Sequence, residues 1–84
     1  MSYFLAFSKQ ALKELENINE PFYSKIKKAI FSLTENPRPV GYKKLKGRNG
    51  YRIRMGDYRV IYEIFDTELI VDIITLGHRK DIYK

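Results

Sequence analysis

Residues 51–64, YRIRMGDYRVIYEI, decide the fold. Tyr51, Ile53 and Met55 alternate with Arg52 and Arg54, the two-residue period of a strand with one apolar face. Gly56-Asp57 interrupts the run as a two-residue hairpin signal. The period then resumes, with Tyr58, Val60, Tyr62 and Ile64 on one side and Arg59, Ile61 and Glu63 on the other. Asp66-Thr67 marks a second turn. Residues 69–76 follow as a nearly continuous apolar run, as expected of a central strand. Together these three strands read as an antiparallel meander.

Upstream the period is 3.6 instead of 2. Ala11, Leu12, Leu15 and Ile18 recur at helical spacing, with Lys9, Lys13, Glu14 and Glu16 between them and Ser8 placed to cap the helix. Asn19-Glu20-Pro21 breaks that helix and starts a second, whose stripe is Phe22, Ile26, Ala29, Ile30 and Leu33. Asn36-Pro37 ends it, because proline disfavours helical backbone at the residue before it. Residues 3–7, aromatic and apolar throughout, read as a buried strand. The expected order is β-α-α-β-β-β, an α+β domain with a helical hairpin packed on one face of an antiparallel sheet. At 84 residues the chain is expected to be a single domain, residues 1–84.

Charge is the second signal. Between Arg38 and Arg59 eight basic residues face one acid, Asp57, a formal +7, while the rest of the chain sums to −1. The net +6 therefore arises in one stretch, a field suited to a polyanion, and Tyr42, Tyr51 and Tyr58 interleave it as stacking platforms. Without cysteine there are no disulfides or thiolate zinc sites, and one histidine makes no imidazole cage. No apolar run approaches the ~20 residues needed to span a bilayer, and the start, MSYFLAFSKQ, lacks signal-peptide features. A cytoplasmic protein without membrane contact is expected.

Phosphodiester cleavage needs a proton acceptor, a proton donor and cations that meet the developing charge. RNA brings its own nucleophile, the 2′-OH, so a metal is optional. The chain offers Arg52, Arg54, Arg59 and Arg79 as cations, His78 as the group that titrates near neutrality, and Tyr83 as a further proton-transferring or stacking group. Lys43, Lys44, Lys46 and Arg48, with Tyr51, form the expected RNA-binding set. No carboxylate cluster suggests magnesium, and no metal or other cofactor is expected. Each residue also has a plain structural alternative. Arg52 and Arg54 fit the solvated face of a strand, His78 a hydrogen-bonded surface residue, and Tyr83 a ring covering the sheet edge.

A resemblance separates these alternatives. KLKGRNGYRIRMGDYRVIYEI followed by IVDIITLGHRKDIY, with FSKQALKELENINEPFYSKIKKAIFSLTENP before them, resembles the RelE/ParE superfamily of toxins from type II toxin–antitoxin systems over essentially the whole chain. The resemblance favours the RelE branch. It implies a RelE-like fold and a metal-independent, ribosome-dependent mRNA endonuclease that inhibits translation. The implied partners are a cognate antitoxin and mRNA on the ribosome. Arg52 and Arg54 fall where RelE proteins place two basic strand residues, commonly lysines. Arg59 and Arg79 match the family's arginines, Tyr83 its C-terminal tyrosine, and His78 a position held by His or Lys. Arginine at positions 52 and 54 departs from the family, because its pKa is too high for it to act as a base. The alternatives are a ParE-like inhibitor of DNA gyrase with the same fold and a non-catalytic RNA-binding module.

Overall fold

The computed structural model describes residues 2–78. The elements are β1 (Phe4–Phe7), α1 (Lys9–Glu16), α2 (Phe22–Ser32), β2 (Lys43–Lys44), β3 (Tyr51–Met55), β4 (Tyr58–Phe65) and β5 (Ile70–His78). They build one five-stranded sheet in the order β1-β5-β4-β3-β2. The expected helical hairpin and C-terminal meander are present. Two features extend that reading. The first strand pairs parallel to β5, which makes the sheet mixed, and the lysines of the basic loop form a two-residue strand antiparallel to β3.

The meander is closed where the sequence indicates. Gly56 has φ of 60° between Met55 and Tyr58, which are paired in register. A positive φ at the first central residue is the type II′ pattern, whose twist matches that of the flanking strands. Between β4 and β5 the register slips once: Ile61 pairs with Thr75, but Tyr62 with Ile73. One extra residue on β5 is a bulge, and it inverts the alternation of everything that follows.

One face of this sheet carries the core. Val60, Tyr62, Val71, Ile73 and Leu76 are buried there against Ala11 and Leu15 of α1 and Ile26 and Ile30 of α2. Removing a side chain such as Ile30 to alanine leaves a cavity that costs about 2–5 kcal/mol. The first strand, expected to be buried, lies at the sheet edge instead, and Phe4 is 73% exposed. Its run of four residues ends at Phe7, so β5 has no strand neighbour on that side beyond Ile73. The first helix satisfies that edge. Ser8 Oγ donates to the Ile74 carbonyl at 2.6 Å and accepts from the Ala11 amide as an N-cap, while the Glu14 carboxylate accepts from the Leu76 amide at 3.0 Å.

Two polar contacts pin the ends of the sheet. The Tyr62 hydroxyl, buried in the core, donates to the Pro37 carbonyl at 2.6 Å. Asp66, in the turn between β4 and β5, accepts from Tyr3 Oη at 2.7 Å and from Arg38 Nη2 at 2.9 Å. The Arg38 guanidinium, and after it the Tyr3 hydroxyl, hold the Asp66 carboxyl below the usual carboxylate range. A depressed folded-state pKa contributes stability above the unfolded value, and that contribution disappears as pH falls through the folded one. Urea unfolding across the acid range should therefore show a steeper loss of stability for the wild type than for Asp66→Asn. Superimposable acid branches would show that this node contributes nothing.

Candidate nucleic-acid interface

Residues directly paired across antiparallel strands project from the same face, with Cβ atoms ~4.5–5.5 Å apart. The register therefore sorts the expected site residues. On the face away from the helices, Arg54 lies opposite Arg59, which in turn faces Gly77, and Lys43 lies opposite Arg52, which faces Ile61. Four cations thus occupy two adjacent rows of one rigid sheet. Arg54 is exposed, Arg52 half-buried and Arg59 only 3% exposed. Guanidinium groups fixed on strands suit bidentate phosphate contacts.

The rest of that face bounds the basic rows. The next row across the sheet is Glu63 opposite Asp72, which faces Ala6, and the one after it is Phe65 opposite Ile70, which faces Phe4. A polyanion therefore meets attraction at the Gly56 end and repulsion beyond Ile61. The loop between β2 and β3 borders the same region. Its Leu45 amide donates to the Gly50 carbonyl at 2.9 Å. A Cβ placed on buried Gly50 would stand 3.1 Å from Leu45 Cδ1 and 3.7 Å from Ile61 Cγ2, so a larger residue there would press on the Leu45 side chain. The same loop leaves Lys46 and Arg48 exposed.

The remaining described candidates lie on the helix-bearing face. Tyr51 stacks on Tyr62 with centroids 5.9 Å apart, lies 6.0 Å from Tyr42, and has Arg38 and Lys44 each 5.4 Å from its ring centre. Lys44 pairs in register with Tyr51 and shares its face. His78 pairs with Tyr58, meets its ring edge-on at 5.7 Å, and has Nε2 4.0 Å from Asp57 Oδ2. The structure thus brings Lys43, Arg52, Arg54 and Arg59 together and sets Lys44, Tyr51 and His78 apart from them. Arg79 and Tyr83 lie outside the described residues. Among the described residues no group of three or more His, Asp or Glu side chains is placed to hold a metal, and no helix is long and apolar enough to cross a membrane.

Sequence reasoning missed the face of His78 and the short strand that carries Lys43. Strict alternation through residues 70–78 puts His78 with the arginines, and only the bulge moves it to the other side. Lys43 joins the arginine face because its two-residue strand is in register with Arg52, a pairing that Lys-Lys-Leu-Lys gives no hint of.

The ParE toxin of type II toxin–antitoxin system family, parDE, has a sequence model that matches residues 5–83. The chain belongs to this RelE/ParE superfamily of toxins. The mRNA interferase toxin RelE of Escherichia coli (strain K12) is 32% identical over 83 residues, spanning 95% of this toxin and 86% of that protein. A chain of the intact E. coli RelBE toxin–antitoxin complex superposes with a TM-score of 0.81 at 31% identity, covering 92% of this chain and 96% of that one. A chain of the archaeal RelE–RelB complex from Pyrococcus horikoshii gives 0.83 at 30% identity, covering 96% and 99%. The expected superfamily and the RelE-like fold are both borne out.

Each phosphate contact contributes about −0.9 to the slope of log affinity against log salt on duplex DNA and about −0.7 on single strands. Binding of single-stranded RNA to this toxin should therefore lose about one such increment for each of Lys43→Ala and Arg54→Ala. Glu63→Gln, which removes a repulsive boundary, should tighten binding. Slopes unchanged in both cationic variants would exclude the open face as the interface.

Proposed function

We propose that the chain is the toxin of a type II toxin–antitoxin pair and cleaves mRNA on the ribosome without a metal, with a cognate antitoxin as its inhibitor. The observation that carries this reading is the set of four cations on one sheet face, in a chain whose curated relative is named an mRNA interferase. Relatives solved as toxin–antitoxin complexes support the antitoxin partner.

In the proposed reaction the 2′-oxygen attacks the adjacent phosphorus as its proton leaves. The bond from phosphorus to the 5′-oxygen breaks, and that oxygen takes up a proton. Negative charge grows on the non-bridging oxygens in between. Arg52, Arg54 and Arg59 meet that charge, a contribution of order 10²–10³ in rate for each well-placed donor. Arginine at these positions stays protonated throughout, so these three residues bind and stabilise and do not transfer protons. By resemblance, Arg79 adds a fourth cation and Tyr83 orients the base or moves a proton. The packing of the His78 ring on Tyr58 supports a role in holding the end of β5.

A second reading, a ParE-like inhibitor of DNA gyrase, draws on the ParE description of the matching family. The reactions separate cleanly, because cleavage through the 2′-oxygen needs ribose. Primer extension on mRNA with and without ribosomes should show cuts only with ribosomes, and none where the scissile nucleotide is 2′-deoxy. Arg54→Ala, at an exposed side chain, should slow cutting about 10²-fold, while His78→Ala should slow it less than about tenfold. Gyrase inhibition without any RNA cut would replace this reading with the second. Loss of cutting in His78→Ala equal to that in Arg54→Ala would return proton transfer to the histidine.

A further inference from the structure

We propose that the outer edge of β1 is a self-association surface, on which a second copy of this chain adds its own β1 antiparallel about a two-fold axis at Ala6. The inference concerns the sheet edge remote from the basic rows and does not depend on the reaction proposed above.

The hydrogen bonds of β1 decide which of its main-chain groups are free. The Phe4 amide donates to the Leu69 carbonyl at 2.6 Å and the Ser8 amide to the Ile73 carbonyl at 2.9 Å, both on the β5 side. Alternation gives Ala6, between them, to β5 as well, and turns the amides and carbonyls of Leu5 and Phe7 outward. The Tyr3 amide also points outward, but it donates to the Thr34 carbonyl at 2.7 Å. The open stretch is therefore bounded at one end by the segment after α2 and at the other by α1, from Lys9. Among the described residues no hydrogen bond reaches the Leu5 or Phe7 main chain from outside. Proteins blunt free strand edges with charges, proline or a bulge. Phe4-Leu5-Ala6-Phe7 has no charge and no proline, and its pairing with β5 runs without a break.

The length of the open stretch selects one register. Pairing Leu5 with Phe7 of the second copy, and Phe7 with Leu5 of the second copy, uses every outward group and sets Ala6 against Ala6 on the axis. Centring the pair on Leu5 would instead oppose Phe7 to Tyr3, whose amide is already taken. In the selected register Ala6 forms a non-hydrogen-bonded pair, the closer of the two antiparallel spacings, which suits its small side chain. The exposed Phe4 falls opposite Ser8 and diagonal to Ala6, both small residues that leave room for its ring. On the helix side Leu5 meets Phe7, each half-buried and packed against its own core.

Charge identifies the occupant. A chain of net +6 repels a copy of itself unless the cations are kept apart. Lys43, Arg52 and Arg54 lie on β2 and β3, toward the opposite edge of the sheet, and Glu63 and Asp72 stand between that edge and Ala6. The same register brings Lys9 of one copy opposite Tyr3 of the other. Next to that Tyr3 is Ser2, whose Oγ donates to the Glu35 carboxylate at 3.1 Å. Opposite charges thus meet at both ends of the paired strands. The two-fold axis makes one continuous sheet of both copies and leaves both arginine faces open on the same side.

The test uses the untagged full chain in sedimentation equilibrium from low to high micromolar concentration. The mass should rise from the 10.0 kDa of one chain toward double that value, and hydrogen exchange at the Leu5 and Phe7 amides should slow in parallel. The chain has no cysteine, so single cysteines report geometry cleanly. At Ala6 a non-hydrogen-bonded pair puts the Cα atoms about 4.5 Å apart, within the disulfide range. Ala6→Cys should therefore form a linked dimer under oxidised glutathione, and Phe65→Cys, two strands in from the edge, should link at least about tenfold more slowly. Ala6→Lys and Ala6→Asp, which each set like charges face to face on the axis, should stay monomeric alone and pair when mixed. A mass of one chain at every concentration, equal linking of the two cysteine variants, or a dimer indifferent to Ala6→Lys would overturn the proposal. Protection of Leu5 and Phe7 that appears only on adding an antitoxin chain would give the edge to that partner and overturn it equally.

Discussion

The pairing of β3 with β4, closed by Gly56-Asp57, is the constraint on which the rest of the structure depends. Once a two-residue turn fixes Met55 against Tyr58, every side chain in both strands is assigned to a face. Ile53, Val60 and Tyr62 go to the helices, while Arg52, Arg54 and Arg59 go to the opposite side. A slip of one residue would bury the arginines in the core and expose the apolar set. The burial that stabilises the fold and the placement of the cations are therefore one event, and the core enforces the site.

The open face is ordered in rows that run across the strands. Two basic rows lie at the turn end, a carboxylate row follows at Glu63 and Asp72, and an aromatic-aliphatic row closes the far end. Like charges placed side by side on one face form a field suited to a polyanion. Arg59 is the most rigidly held of these cations, because a guanidinium only 3% exposed has little rotamer freedom. The carboxylate row gives the basic face a boundary and a direction, which a uniformly basic surface lacks.

Much of this was legible in the chain. Period-two alternation, the Gly56-Asp57 turn, the two helical stripes and Ser8 as N-cap all correspond to elements in place, because each is a local signal read over a few residues. What escaped was non-local. The parallel pairing of β1 depends on where its edge meets β5, far along the chain. The side taken by His78 depends on a bulge that no residue type in Ile-Ile-Thr announces. Tyr51 was legible as an aromatic among cations, yet its ring is used inside the protein, against Tyr62 and under Arg38 and Lys44. Composition shows that cations and aromatics lie near one another. Register shows which of them share a face.

The central claim is that the arginine face, and not the helix-bearing face, holds RNA. It is tested most directly by following the guanidinium Nε–Hε resonances of Arg52, Arg54 and Arg59 during titration with a short RNA made uncleavable by a 2′-deoxy substitution at the scissile position. The account predicts that these three signals shift together and saturate at one affinity, with the His78 ring signals unmoved. Saturating shifts at His78, Tyr58 and Tyr51 with the three guanidinium signals unchanged would contradict it.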